Sequence, residues 1–186
     1  MGDNKNMNLP PGFRFCPTDE ELIVHFLQRK ASHLPHHPDI IPDLDLYPYD
    51  PWDLEGKAMV EGKNWYYFSR RTPNRVTANG FWKSCDGDEE IMSSNGSKRI
   101  GVKKYYVFHD GEGMKTDWVM QEFRVHDGAN SSNRSRRRDN SKIDWVICRV
   151  YEQNYDDDDD NDGMELSCLD EVFLSLDDFD DISFPN

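Results

Sequence analysis

Four cysteines and six histidines are the residues of this chain best suited to metal binding or nucleophilic chemistry, and their spacing argues against both. Cys16, Cys85, Cys148 and Cys168 stand far apart and form no C-x-x-C pair, so neither a zinc ribbon nor a disulfide framework is expected. His33, His36 and His37 lie in a proline-rich stretch without a nearby cysteine, which reads as a surface loop rather than a metal site. Cys16 and His25 straddle a helix cap, and no acid is placed to orient them as a catalytic pair. No catalytic residue, metal or cofactor is expected. The remaining chemistry is ionic. Arg134, Arg136, Arg137 and Arg138 form the densest basic cluster, suited to nuclear import or phosphate contact and equally to a solvated loop. Leu166, Cys168 and Asp170 approximate the L-x-C-x-E motif that docks on retinoblastoma-type pocket proteins, with Asp170 one methylene shorter than the usual Glu. Short motifs of this kind also arise by chance in polar segments.

The charge is divided unevenly. All 22 Lys and Arg precede Tyr151, while 14 of the 36 acidic residues follow Val150, leaving 22 against 22 in residues 1–150. The net charge of -14 therefore belongs to the last segment and says nothing about the sign of a folded face before it. That segment, with Asp156–Asp160 and interleaved Phe173, Leu174, Leu176, Phe179, Ile182 and Phe184, holds too little apolar area to offset its chain entropy. It is expected to be a disordered, acidic, partner-binding tail. No apolar run approaches the roughly 18 residues of a membrane span, and no membrane partner is expected.

The elements that precede the tail read clearly. Thr18-Asp19-Glu20-Glu21 has the form of a capping box, and Leu22, Ile23, Phe26 and Leu27 follow at helical spacing to a basic close at Arg29-Lys30. From Trp65 the pattern changes to aromatic and β-branched runs: 65–68, 103–108, 118–125 and 145–150. These predict strands of an antiparallel sheet, with Gly111-Glu112-Gly113 turning between two of them and a polar connection over 129–141.

Five blocks in order carry a family resemblance. They are Leu9-Pro10-Pro11-Gly12-Phe13-Arg14-Phe15 with Pro17–Leu22; Asp45-Leu46-Tyr47 with Pro51–Leu54; Trp65–Phe68 through Asn74-Arg75 and Gly80–Lys83; Gly101–Lys104 through Lys115–Trp118 and Glu122-Phe123-Arg124; and Asp144–Tyr151. The chain resembles the plant NAC-domain transcription factors over about three quarters of its length. Its short length and acidic tail make it similar to the xylem NAC domain protein subgroup. The resemblance implies an α+β fold, a twisted antiparallel sheet flanked by a few helices. It divides the chain into a lead (1–8), a DNA-binding and dimerisation domain (9–151) and the tail (152–186).

The resemblance also implies a nuclear protein that binds double-stranded DNA as a dimer with itself or another NAC protein. A sheet edge would enter the major groove. Arg75, Lys83, Lys103, Lys104 and Lys115 match the family's DNA-binding positions, where cations neutralise phosphates and can reach guanine edges. Leu9, Arg14 and Glu21 match its dimer block, in which Arg and Glu pair reciprocally across a two-fold axis. The subgroup implies negative regulation of xylem differentiation.

Three departures from the family pattern bear on DNA binding. Only Ser69–Pro73 occupies the space of a basic, glycine-containing insertion; Ser84–Glu90 replaces the usual Ala-Thr-Gly and Lys; and the turn before Lys115 is shortened. Four carboxylates over 86–90, beside the reading strand, are expected to repel phosphate within a Debye length of about 8 Å and so to weaken binding. They motivate a second reading, a weakly or non-DNA-binding partner that heterodimerises with other NAC proteins and sequesters a pocket protein through its tail.

Overall fold

A computed structural model describes residues 11–36, 38–44, 49–71, 75–126 and 144–153. The helix begins where the capping box places it. The Thr18 hydroxyl accepts from Glu21 N–H at 3.1 Å, and the Glu21 carboxylate accepts from Thr18 N–H at 3.4 Å. After one α turn, Asp19–Glu21, the chain is wound as a π-helix through Leu22–Leu27 and closes with an α turn, Gln28–Ala31. No spacing of residues in the sequence signals this wider winding. It leaves Leu22, Ile23, Phe26 and Leu27 all buried.

Seven strands follow: β1 (Met59–Glu61), β2 (Asn64–Arg70), β3 (Gly80–Ser84), β4 (Glu89–Met92), β5 (Arg99–Asp110), β6 (Lys115–Val125) and β7 (Trp145–Glu152). They make one twisted antiparallel sheet in the order β1-β2-β7-β6-β5-β3, with β4 also pairing to β5. The α+β expectation holds. β1 and β4 were not legible, the first because it is three residues long and the second because it opens on Glu89-Glu90. A single 3-10 turn, Pro51–Leu54, precedes the sheet.

Period-2 alternation along the long strands sends side chains to two faces. One face packs Phe123, Ile147, Phe68 and Tyr66 against the helix residues Leu22, Ile23, Phe26 and Leu27. The other gathers Trp82, Tyr106, Phe108, Met120, Val146 and Cys148 with Leu54. The helix reaches the sheet at Gly101, where a Cβ would lie 2.7 Å from both the Arg124 carbonyl oxygen and Ile23 Cδ1. Among the described residues no helix is long and apolar enough to cross a membrane.

Gly101→Ala must therefore push the helix from the sheet, and a loss of about 1–3 kcal/mol is expected by urea denaturation. Thr18→Ala, which removes only the cap, should lose about 1 kcal/mol. Equal midpoints for Gly101→Ala and the parent chain would show that this contact is not close-packed.

Candidate nucleic-acid interface

The face away from the helix carries a charged cluster built from three segments. Glu122 and Arg124 stand two residues apart on β6, and the register of β5 sets Lys104 directly across from Glu122. Glu122 is 0% exposed. Its Oε2 accepts from Arg75 Nη2 at 2.5 Å and its Oε1 from Arg124 Nε at 2.7 Å. The Tyr106 hydroxyl accepts from both guanidinium groups at 3.3 Å, and the Arg75 guanidinium lies over the Tyr106 ring at 4.5 Å. Burial works against the charge on each arginine, but the charge and hydrogen bond of the facing Glu122 together with Tyr106 and other nearby groups hold both pKa values above normal. The same environment raises the Cys148 thiol pKa well above its usual range, first by burial and then by the Glu122 charge, so this thiol stays protonated.

An open cavity of about 530 Å³ lies in front of this cluster, lined by Arg71, Arg75, Trp82, Ser84, Lys104, Tyr106, Arg124 and Asp144. Four cations face three carboxylates once the buried Glu122 and Asp88, 3.8 Å from Lys104, are counted with Asp144, which Arg71 approaches at 3.6 Å. Anions are therefore favoured there. Arg75 is fixed in place because its carbonyl accepts from Trp82 N–H at 2.9 Å, and Thr77 N–H donates to the Gly80 carbonyl at 2.8 Å. Beyond this turn, the buried Asp50 carboxylate accepts from the Thr77 hydroxyl and from Asn79 N–H and Nδ2, at 3.2 and 2.6 Å for the latter two.

A family model described as No apical meristem (NAM) protein matches residues 10–125. The chain belongs to the NAC family. NAC domain-containing protein 104 of Arabidopsis thaliana is 60% identical, the match covering 96% of this chain and 100% of that protein. NAC transcription factor 56 of the same plant is 42% identical over 79% of this chain and 45% of its own length. NAC domain-containing protein 68 of Oryza sativa subsp. japonica is 42% identical over 78% of this chain and 49% of its own. The chain thus spans about half the length of the latter two relatives.

Within the NAC sheet, the five basic residues singled out from the sequence fall into three groups. Arg75 and Lys104 line the cavity. Lys83 is exposed on β3, turned by alternation from the face of Trp82 and Ser84, and its charge falls with that of Lys115 on the Cys85 thiol. Burial raises the Cys85 pKa; Lys115 lowers it, Asp86 raises it and Lys83 lowers it again. Lys103 also points away from the cavity face and is only 7% exposed, with its ammonium 2.7 Å from Asp19 and 3.4 Å from Glu89. It ties the helix to the sheet. Arg124 and Arg71 border the cavity as well, beyond the positions that the family resemblance marks for DNA binding. For Arg124 the signal was present, since two charges flanking Phe123 on a strand must share a face.

The acidic run is largely partnered. Glu89 accepts from the Tyr105 hydroxyl at 2.9 Å as well as meeting Lys103, Glu90 meets Arg99 at 2.8 Å, and Asp88 lies 3.8 Å from Lys104. In the dimer block, Arg14 is exposed, with 84% of its side chain in solvent, and its Nε comes within 3.8 Å of Glu61 rather than closing on Glu21. Phe13 beside it is also exposed, and Phe13, Arg14, Glu21 and His25 border a cavity of about 210 Å³. Leu9, the cluster Arg134, Arg136, Arg137 and Arg138, and the motif Leu166, Cys168 and Asp170 lie outside the described residues.

Glu122→Gln removes the charge that lets two guanidinium groups sit side by side, leaving their repulsion uncompensated in a half-buried site. A loss of about 2 kcal/mol or more is expected by urea denaturation. An unchanged midpoint would show that the cluster does not hold this face together.

Proposed function

We propose that this NAC protein is a nuclear plant transcription regulator that binds double-stranded DNA as a dimer with itself or another NAC protein. The observation that carries the reading is the open cavity where Arg71, Arg75, Lys104 and Arg124 converge beside the edge strand β3. Converging cations on a rigid sheet suit a phosphate backbone, and an exposed Lys83 on the edge strand suits a base edge in the major groove. Relatives that bear the name NAC transcription factor support it. The pairing of Glu89, Glu90 and Asp88 with nearby cations favours binding over the non-binding reading, because partnered carboxylates repel phosphate less than free ones. The exposed Phe13 and Arg14 suit a self-complementary two-fold patch. A negative role in xylem differentiation rests on the subgroup resemblance.

The test is an electrophoretic mobility series with the full-length chain on NAC-site and scrambled duplexes at two salt concentrations. Site preference at low salt is expected, with log K falling against log salt by about 0.9 per phosphate contact. Arg14→Glu should turn the two-chain complex into a weaker one-chain complex. Absence of any site preference at low salt would sink the DNA-binding reading, and unchanged stoichiometry in Arg14→Glu would sink the dimer patch.

A further inference from the structure

We infer that Arg124 is a phosphate-binding residue of the DNA interface, with Glu122 and Tyr106 as positioning residues that hold it and Arg75 side by side. The inference rests on the DNA-binding reading and deepens it by naming which chemical part of the duplex meets this cavity.

A guanidinium has five N–H donors in a fixed fork. In Arg124, Nε and Nη2 are committed to Glu122 at 2.7 and 2.6 Å, and Nη2 also donates to Tyr106. In Arg75, Nη2 is shared between Glu122 and Tyr106 in the same way. For Arg124 the Nε/Nη2 edge is taken by the carboxylate and the second Nη2 hydrogen by the Tyr106 hydroxyl, so neither two-nitrogen edge is open to guanine O6 and N7 together. What remains is the outer Nη1 end, which suits a single acceptor carrying full charge.

Two guanidinium groups beside one carboxylate carry a net positive charge. The other cations bordering the cavity, Lys104 and Arg71, stand 3.8 Å from Asp88 and 3.6 Å from Asp144, so the excess positive charge lies on the guanidinium pair. A backbone phosphate in front of the cluster would meet donors whose positions are set by a fully buried carboxylate, so little side-chain freedom is lost on binding. Phosphate contacts fix the register of a protein on the duplex and carry no sequence information directly. This assigns Arg124 to affinity and leaves discrimination to the edge strand.

The experiment compares wild-type, Arg124→Gln and Lys83→Ala full-length chains in salt-titrated binding to NAC-site and scrambled duplexes. Arg124→Gln is expected to weaken both duplexes by the same factor and to reduce the salt slope by about 1. Lys83→Ala should instead narrow the ratio between the two duplexes. An unchanged slope and affinity in Arg124→Gln, with wild-type binding intact, overturns this inference alone. So does a loss confined to the NAC-site duplex, which would make Arg124 a base reader. No binding by the wild-type chain would remove the DNA-binding reading itself. Arg124→Gln leaves Glu122 with Arg75 as partner; should it fail to fold, Glu122→Gln/Arg124→Gln removes the carboxylate and one guanidinium together. The same fall in slope is then expected, and an unchanged slope overturns the inference.

Discussion

A carboxylate with no exposed surface sits in the middle of this sheet, and the polar half of the molecule is arranged around it. Burying an unpaired carboxylate costs several kcal/mol, on the order of the whole stability of a small domain. Glu122 therefore requires its two arginines, and each comes from a different place: Arg124 from the same strand, Arg75 from the turn leading into β3. The requirement reaches further than the pair. Arg75 can meet Glu122 only if its turn is closed against β3, which the bonds to Trp82 and the Asp50 clamp on Thr77 and Asn79 secure. A single buried charge thus couples the edge strand to the sheet centre.

The opposite face repeats the arrangement with the anion on the helix instead of the sheet. Asp19, in the first turn of the helix, receives Lys103 of β5 at 2.7 Å and Arg149 of β7 at 3.3 Å. There one anion on the helix holds two cations of the sheet; on the cavity face one anion of the sheet holds two cations. Lys103 and Lys104 are neighbours in sequence, yet one is absorbed by the helix contact and the other borders the cavity. The acidic residues after β3 divide likewise, Glu89 reaching Lys103 and Asp88 approaching Lys104. What reads along the chain as a block of negative charge is distributed in space over both faces.

The legible parts of the fold are those whose causes are local. A capping box spans four residues, aromatic alternation spans a strand, and Gly111–Gly113 turns within itself, as Gly113 N–H donating to the Asp110 carbonyl at 3.0 Å shows. The family blocks supplied the sheet as a whole. Facing was not legible, because alternation says that Lys103 and Lys104 part company but not which of them the helix will cover. For Arg124 the sequence shows only that it shares a face with Glu122; its role depends on Arg75 and Tyr106, brought beside it by the register β3-β5-β6 rather than by proximity in sequence. The four apolar side chains of the π-wound Leu22–Leu27 pack in one cluster with residues far down the chain, Phe123 and Ile147, which no local pattern announces.

The turn that carries Arg75 also closes part of the sheet's outer margin. Val76 bridges to Phe81, so the chain folds back on β3 and satisfies backbone groups that would otherwise face outward. A long bare margin is a template for stray strands and for aggregation. Here the cover stops at Trp82, and what lies beyond is the short polar end of β3, Lys83 and Ser84, followed by the Asp86 to Glu90 carboxylates. That end stays exposed while offering little for another copy's strand to zip onto, a form of colloidal protection drawn from a few polar residues.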